Sequence, residues 1–172
     1  VDRATWKIAN FRPGYGYQAY PRYFVADSDI LADTVLCYGP SYFHLTNSVL
    51  SVAASGVAEM HDSGGTWTFG EGSRLELSHL KTTASNPSKG FTLRFDGGTW
   101  ETRGSDKVFR LYMAERFNFE TGGDGGLTLP VGDGATVPVA RAITGSGRVV
   151  KTGPGPLAFD TQGTWTADLT EK

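Results

Sequence analysis

Residues Ile143 to Phe159 read ITGSGRVVKTGPGPLAF, and this stretch decides the fold. Two short apolar runs, Val149-Val150 and Leu157-Ala158-Phe159, flank Thr152-Gly153-Pro154-Gly155-Pro156. Proline lacks the amide hydrogen a helix needs and glycine weakens one, so their density here leaves strand, tight turn, strand. A turn this tight needs glycine wherever φ is positive.

The pattern extends outward from that stretch. Gly64-Gly65-Thr66-Trp67-Thr68-Phe69 is echoed by Gly97-Gly98-Thr99-Trp100-Glu101-Thr102, and Gly163-Thr164-Trp165-Thr166 repeats the centre of it. Apolar alternation recurs at Leu75-Glu76-Leu77, Phe91 to Phe95, Leu127-Thr128-Leu129 and Val137-Pro138-Val139. Further upstream, Phe24-Val25, Ile30-Leu31, Thr34 to Cys37, Tyr42 to Leu45 and Val49 to Val52 read as short strands. Asp-Ser-Asp, Tyr-Gly-Pro and Thr-Asn-Ser clusters separate them, which is turn chemistry. No crossover helix fits between neighbouring runs. Short strands recurring after glycine turns suit a coil of stacked rungs of about 20–25 residues each. A β-sandwich of hairpins would produce much of the same pattern. Residues 105–117 lack glycine and proline. They read either as a short helix capped by Ser105 or as strands Val108–Met113 and Phe117–Phe119, and the β-branched and aromatic content favours strands.

On the residues quoted first, the segment resembles the autotransporter-associated β-strand repeat. That short motif belongs to bacterial surface proteins built as right-handed parallel β-helices. The match covers residues 143–160, about a tenth of the chain, and Pro156 departs from it where a small polar residue is usual. The resemblance implies a solenoid secreted to, or held on, the bacterial surface. It also implies glycans or host-surface molecules as partners.

Composition bounds the rest. A chain of 172 residues suits one domain, residues 1–172, or a fragment of a longer β-helix. Its 16 basic and 18 acidic residues nearly cancel, so a net charge of −2 gives no electrostatic pull toward nucleic acid or an anionic membrane. No apolar run is long enough to span a bilayer, and VDRATWKIAN lacks the apolar centre of a signal peptide. Cys37 is the single cysteine, which excludes an internal disulfide and a cysteine-based metal cluster.

Residues 1–24 hold Phe11, Tyr15, Tyr17, Tyr20, Tyr23 and Phe24 among Gly, Pro, Arg12 and Arg22. Interleaved Pro and Gly predict a loop or extended arm. Two roles are open to it. The rings could stack on sugars with arginine adding hydrogen bonds, which makes Tyr15, Tyr17, Tyr20, Arg22 and Tyr23 the candidate ligand-binding residues. Alternatively, the rings cap the open end of a sheet and cover its apolar edge.

Catalytic chemistry finds little purchase. His44, His61 and His79 fall in different expected rungs, without the short spacing of a zinc site. Gly145-Ser146-Gly147 lacks the frame of a nucleophile elbow. Gly122-Gly123-Asp124-Gly125-Gly126 and Gly132-Asp133-Gly134 resemble calcium turns. The nonapeptide pattern, however, wants aspartate where Leu127 stands, so both read as tight turns. Neither metal nor cofactor is expected. Parallel β-helices also carry polysaccharide lyases and hydrolases, and Arg94, Asp96, Glu101 and Arg103 cluster in sequence around Gly97-Gly98. Arg94 and Asp96 alternate onto one face, as either a reactive mixture or a plain ion pair. The catalytic residues stay unassigned. The expectation is thus an all-β, right-handed parallel β-helix with a structural or adhesive role, against a carbohydrate-active module as the alternative. Its open ends invite a second protein chain.

Overall fold

The computed structural model describes residues 3–13, 20–61, 64–77, 79–83, 90–101, 110–112, 117–132, 137–139, 143–159 and 168–171. No helix occurs among them, and none could therefore cross a membrane. The chain opens with β1 (Ala4–Phe11), β2 (Arg22–Ala26) and β3 (Ser28–Cys37). Turns of three strands follow. They are β4 (Ser41–Thr46), β5 (Val49–Val52), β6 (Ala58–His61); β7 (Gly65–Gly70), β8 (Arg74–Glu76), β9 (His79–Thr83); and β10 (Phe91–Asp96), β11 (Gly98–Glu101), β12 (Arg110–Tyr112). Two more turns are β13 (Phe117–Thr121), β14 (Leu127–Pro130), β15 (Val137–Val139) and β16 (Ile143–Gly145), β17 (Arg148–Thr152), β18 (Leu157–Phe159). The last described strand is β19 (Asp168–Glu171).

Successive strands do not pair with each other; each pairs with its counterpart one turn away. One face stacks β2, β4, β7, β10, β13 and β16, and the next stacks β1, β3, β5, β8, β11, β14, β17 and β19. The long strand β3 bends from the second face onto a third, where its C-terminal half meets β6, followed by β9 and β12. All strand pairings among the described residues are parallel, and the single antiparallel contact is an isolated bridge, Gly70 to Gly97. That is a parallel β-helix. A sandwich of hairpins would need antiparallel neighbours joined by two-residue turns, and none is present among these residues.

The motif read first lies as expected. Val149 and Val150 sit in β17, Leu157 to Phe159 form β18, and the glycine-proline turn between them moves the chain from one face to the next. The clusters Asp27-Ser28-Asp29 and Thr46-Asn47-Ser48 turn the corner between the first two faces. Asp27 and Asn47 adopt positive φ there, 50° and 45°, and the Asn47 amide donates to the Asp27 carboxylate at 2.6 Å. Short polar side chains tolerate that conformation by bonding locally.

Three expectations change. Residues 4–11, expected to be part of a loop, form β1, because the proline and glycine signal begins only at Pro13 and ATWKIANF itself is compatible with a strand. The tryptophan echo is not a repeat of equivalent positions. Trp67 lies on the first face and Trp100 on the second, so the echo marks a corner entering a strand rather than one rung length. The third copy, Gly163 to Thr166, lies outside the described residues. His44 and His61 share one turn, on different faces, instead of lying in separate rungs. In 105–117 the described parts are strand: Arg110–Tyr112, and Phe117 opening β13. The proposed N-cap Ser105 is outside them. Residues 122–126 make the expected tight turn, while Asp133 and Gly134 are not described.

Register builds the core as columns. Phe43, Trp67, Leu93, Phe119 and Ile143 stack along the first face, and Val25, Leu45, Phe69 and Phe95 run beside them. On the second face Ile30, Leu50, Leu75, Trp100 and Leu129 stack, and then the column changes character. Its next member is Lys151, buried, whose Nζ donates to the Gly153 carbonyl at 2.9 Å. Rings interlock across and within turns: Phe69 lies 5.2 Å from Phe95 one turn on, and Phe95 lies 5.9 Å from Trp100 in its own turn. Each such fully buried side chain contributes about 1.5–3 kcal/mol.

The stacking sets two expectations for urea unfolding. Phe95, fully buried at the centre of both ring contacts, costs about 3–5 kcal/mol when cut to alanine. Gly145 adopts a φ of 113°, and a Cβ there would strike the Thr121 carbonyl in the turn below. Gly145→Ala therefore destabilises by more than about 1 kcal/mol. Gly132→Ala, where nothing lies within reach of a Cβ, shifts stability by less than about 0.5 kcal/mol.

Candidate functional site

A strand sends alternate side chains to opposite faces, so the residues between the core columns make the outer surface. On the first face two outer columns run the length of the coil. One reads Arg22, Tyr42, Thr66, Thr92, Asn118. The other reads Phe24, His44, Thr68, Arg94, Glu120, Thr144. Threonine fits an exposed pleated surface, and it leaves a hydroxyl-bearing sheet across the middle turns.

At the N-terminal end these columns carry rings and a cation. The Arg22 guanidinium carbon lies over the Tyr42 ring, 5.0 Å from its centroid, and Phe24 and His44 ring centroids are 6.3 Å apart. Phe24 is 77% exposed, the most exposed of the large hydrophobic side chains described. Because Arg22 pairs with Tyr42 and Phe24 with His44, the four side chains form a two-by-two tile on adjacent strands. The tile is fixed by backbone ladders beneath it.

The candidates from the sequence divide around this tile. Arg22 belongs to it. Tyr20 is exposed just ahead of Pro21. Tyr23 points the other way, and its ring packs 5.3 Å from Phe43, which also meets Phe11 at 5.5 Å. Tyr23 thus joins the cover over the first core column. Tyr15 and Tyr17 lie outside the described residues. Phe24, Tyr42 and His44 were not among the candidates. Tyr42 and His44 come from the next turn, and only the twenty-residue register brings them beside Arg22 and Phe24.

The residues weighed as catalysts separate. Arg94 Nε donates to Asp96 at 3.0 Å and 3.1 Å, and Glu120 approaches the same guanidinium at 3.7 Å. The hydrogen bond that Arg94 donates to Asp96 raises the Arg94 pKa above its ordinary value, opposed by partial burial and helped by the Asp96 and Glu120 charges. Arg94 therefore stays a cation and cannot take a proton from a substrate. Glu101 faces out from the second sheet instead. It pairs in register with Glu76, and Arg74 bridges the two, at 2.9 Å to Glu76 and 3.5 Å to Glu101. Arg103 is not described. A groove of about 390 Å³ on the second sheet, lined by Lys7, Leu31, Asp33, Ser51 and Ala53, holds none of the candidate rings. No group of three or more metal-ligating side chains occurs among the described residues.

Comparison of the chain with protein-family models, with curated proteins and with solved structures yields no match.

A half-buried ion pair at the surface gains little, because water still screens it and the side chains must be ordered. Arg94→Met is accordingly expected to change the unfolding free energy by less than about 1 kcal/mol. A loss of several kcal/mol in a urea titration would mean that the Arg94–Asp96–Glu120 cluster holds the coil together.

Proposed function

We propose that this domain is a non-catalytic structural or adhesive segment of a bacterial β-helix protein that is secreted or carried on the cell surface. In this reading the coil is a stiff spacer, and the tile of Arg22, Phe24, Tyr42 and His44 touches glycans. The observation that carries the reading is Phe24, a phenyl ring left 77% exposed on a rigid strand beside an arginine and two further rings. Leaving such a ring in water is unfavourable, and sugar rings present the C–H faces that aromatic faces accept. The resemblance of residues 143–160 to the autotransporter-associated repeat supports the surface location.

The N-terminal end supports an additional contact with another protein chain. Trp6 stands in register with Ile30 at the end of that core column, yet it is 52% exposed, and among the described residues no strand pairs with the far edge of β1. Unpaired edges with apolar side chains are where further strands add.

The alternative is a carbohydrate-active enzyme fragment. It draws on Glu76 and Glu101, neighbouring carboxylates on parallel strands, although Arg74 already spans them.

The deciding experiment incubates the protein with plant, microbial and mucin polysaccharides and follows both retention and new chain ends. Retention without cleavage, lost in Phe24→Ala, is the expected result. New chain ends that vanish in Glu101→Gln would favour the enzyme, and no retention on any polysaccharide would sink the glycan reading.

A further inference from the structure

We infer that the tile selects carboxylated sugars, uronates or sialic acids, over neutral ones; this rests on the glycan reading above and specifies its ligand. The argument starts from the arginines on the outer surface. Arg3 pairs with Asp29, Arg74 with Glu76 and Glu101, and Arg94 with Asp96 and Glu120. Arg22 differs in its setting. Among the described residues no carboxylate lies within salt-bridge distance of it, nor of Arg12 or Arg148, but Arg22 alone of these three lies over a ring, that of Tyr42. The nearest acid along the chain, Asp27, is engaged by the Asn47 amide.

Geometry then distinguishes what Arg22 gives from what it keeps. A guanidinium over a ring is attracted to the π system without a carboxylate taking its N–H donors. Those donors suit the two oxygens of a carboxylate in a bidentate pair. The cation–π contact with Tyr42, 5.0 Å from the guanidinium carbon to the ring centroid, therefore holds the cation in place, so less conformational freedom is lost on binding.

Phe24 supplies the second contact. It lies two residues along the same strand on the same face, about 6.6 Å from Arg22 by strand rise. One sugar ring resting on Phe24 places a carboxylate borne at its edge within reach of Arg22. A neutral sugar keeps the stacking but leaves the guanidinium with water. Farther along the coil the columns turn to threonine, and the next arginine, Arg94, is already occupied by two carboxylates. On this face the preference for acid is thus confined to the N-terminal turns.

The test measures binding by calorimetry at fixed salt with matched probes. Oligogalacturonate is compared with its carboxyl-reduced form, and sialyllactose with lactose; the two carboxylated probes distinguish a uronate from a sialic acid. Wild type is expected to bind at least one carboxylated probe tenfold or more tighter than its neutral match. Arg22→Ala erases that difference by weakening the carboxylated probe tenfold or more beyond whatever its neutral match loses, and Arg22→Lys retains part of it. Phe24→Ala weakens both members of a pair. Equal binding of both members by wild type, or an equal loss in Arg22→Ala, overturns the selectivity and leaves the glycan reading standing. No binding of any probe, with none of the polysaccharides retained, overturns both. Arg22 and Phe24 are exposed, so the circular dichroism of each variant should match wild type and exclude misfolding as the cause.

Discussion

The parallel ladder between successive turns is the constraint on which everything else depends. A backbone amide in one turn finds its acceptor in the next, and that pairing fixes which residues stack. Once Phe91 is opposite Gly65 and Phe117, the side chains of Leu93, Trp67 and Phe119 have no choice but to form a column. A slip of one residue would turn every column inside out, placing Thr66 and Arg94 in the core and Trp67 in water. The apolar columns hold the register as much as the ladder holds the columns. Neither is stable without the other, because a single turn cannot cover its own apolar side chains.

How much of this was legible depends on whether the signal was local. Gly153-Pro154-Gly155-Pro156 announces a turn from four residues alone, and the strands on either side lie where the apolar runs are. Period-2 alternation at Phe91 to Phe95 identifies both the strand and its buried face. The first strand was hidden because only Ile8 and Phe11 are partly buried in it, which leaves little alternation to read. Equivalent positions on different faces were hidden too. Gly-Thr-Trp looks like one repeat wherever it occurs, and nothing in three residues says which side of the coil they enter.

The surface was harder to read than the core for a physical reason. A core column is redundant, since each turn contributes an apolar residue and the pattern repeats. The tile of Arg22, Phe24, Tyr42 and His44 occurs once, from two strands that meet only through the ladder. The aromatic density of residues 11–24 pointed at the correct end of the molecule. Alternation then sent Phe24 outward and Tyr23 toward Phe43, which no count of rings could distinguish. Glu101 and Asp96 illustrate the same limit: five residues apart in sequence, they face out from different sheets.

The direction of the ladder bonds has a mechanical consequence. They run along the coil axis, so a force that tugs on the two ends of the polypeptide loads one boundary turn at a time, like the first tooth of a zip. Each turn that peels away lengthens the chain by the number of residues separating register partners: 20 at Arg22 and Tyr42, 26 at Gly65 and Phe91, 31 at His79 and Arg110. The remainder stays folded, because each turn leans only on its neighbours. Under tension the molecule behaves as a ratcheted tether that yields length in small instalments, dissipating work with each turn released.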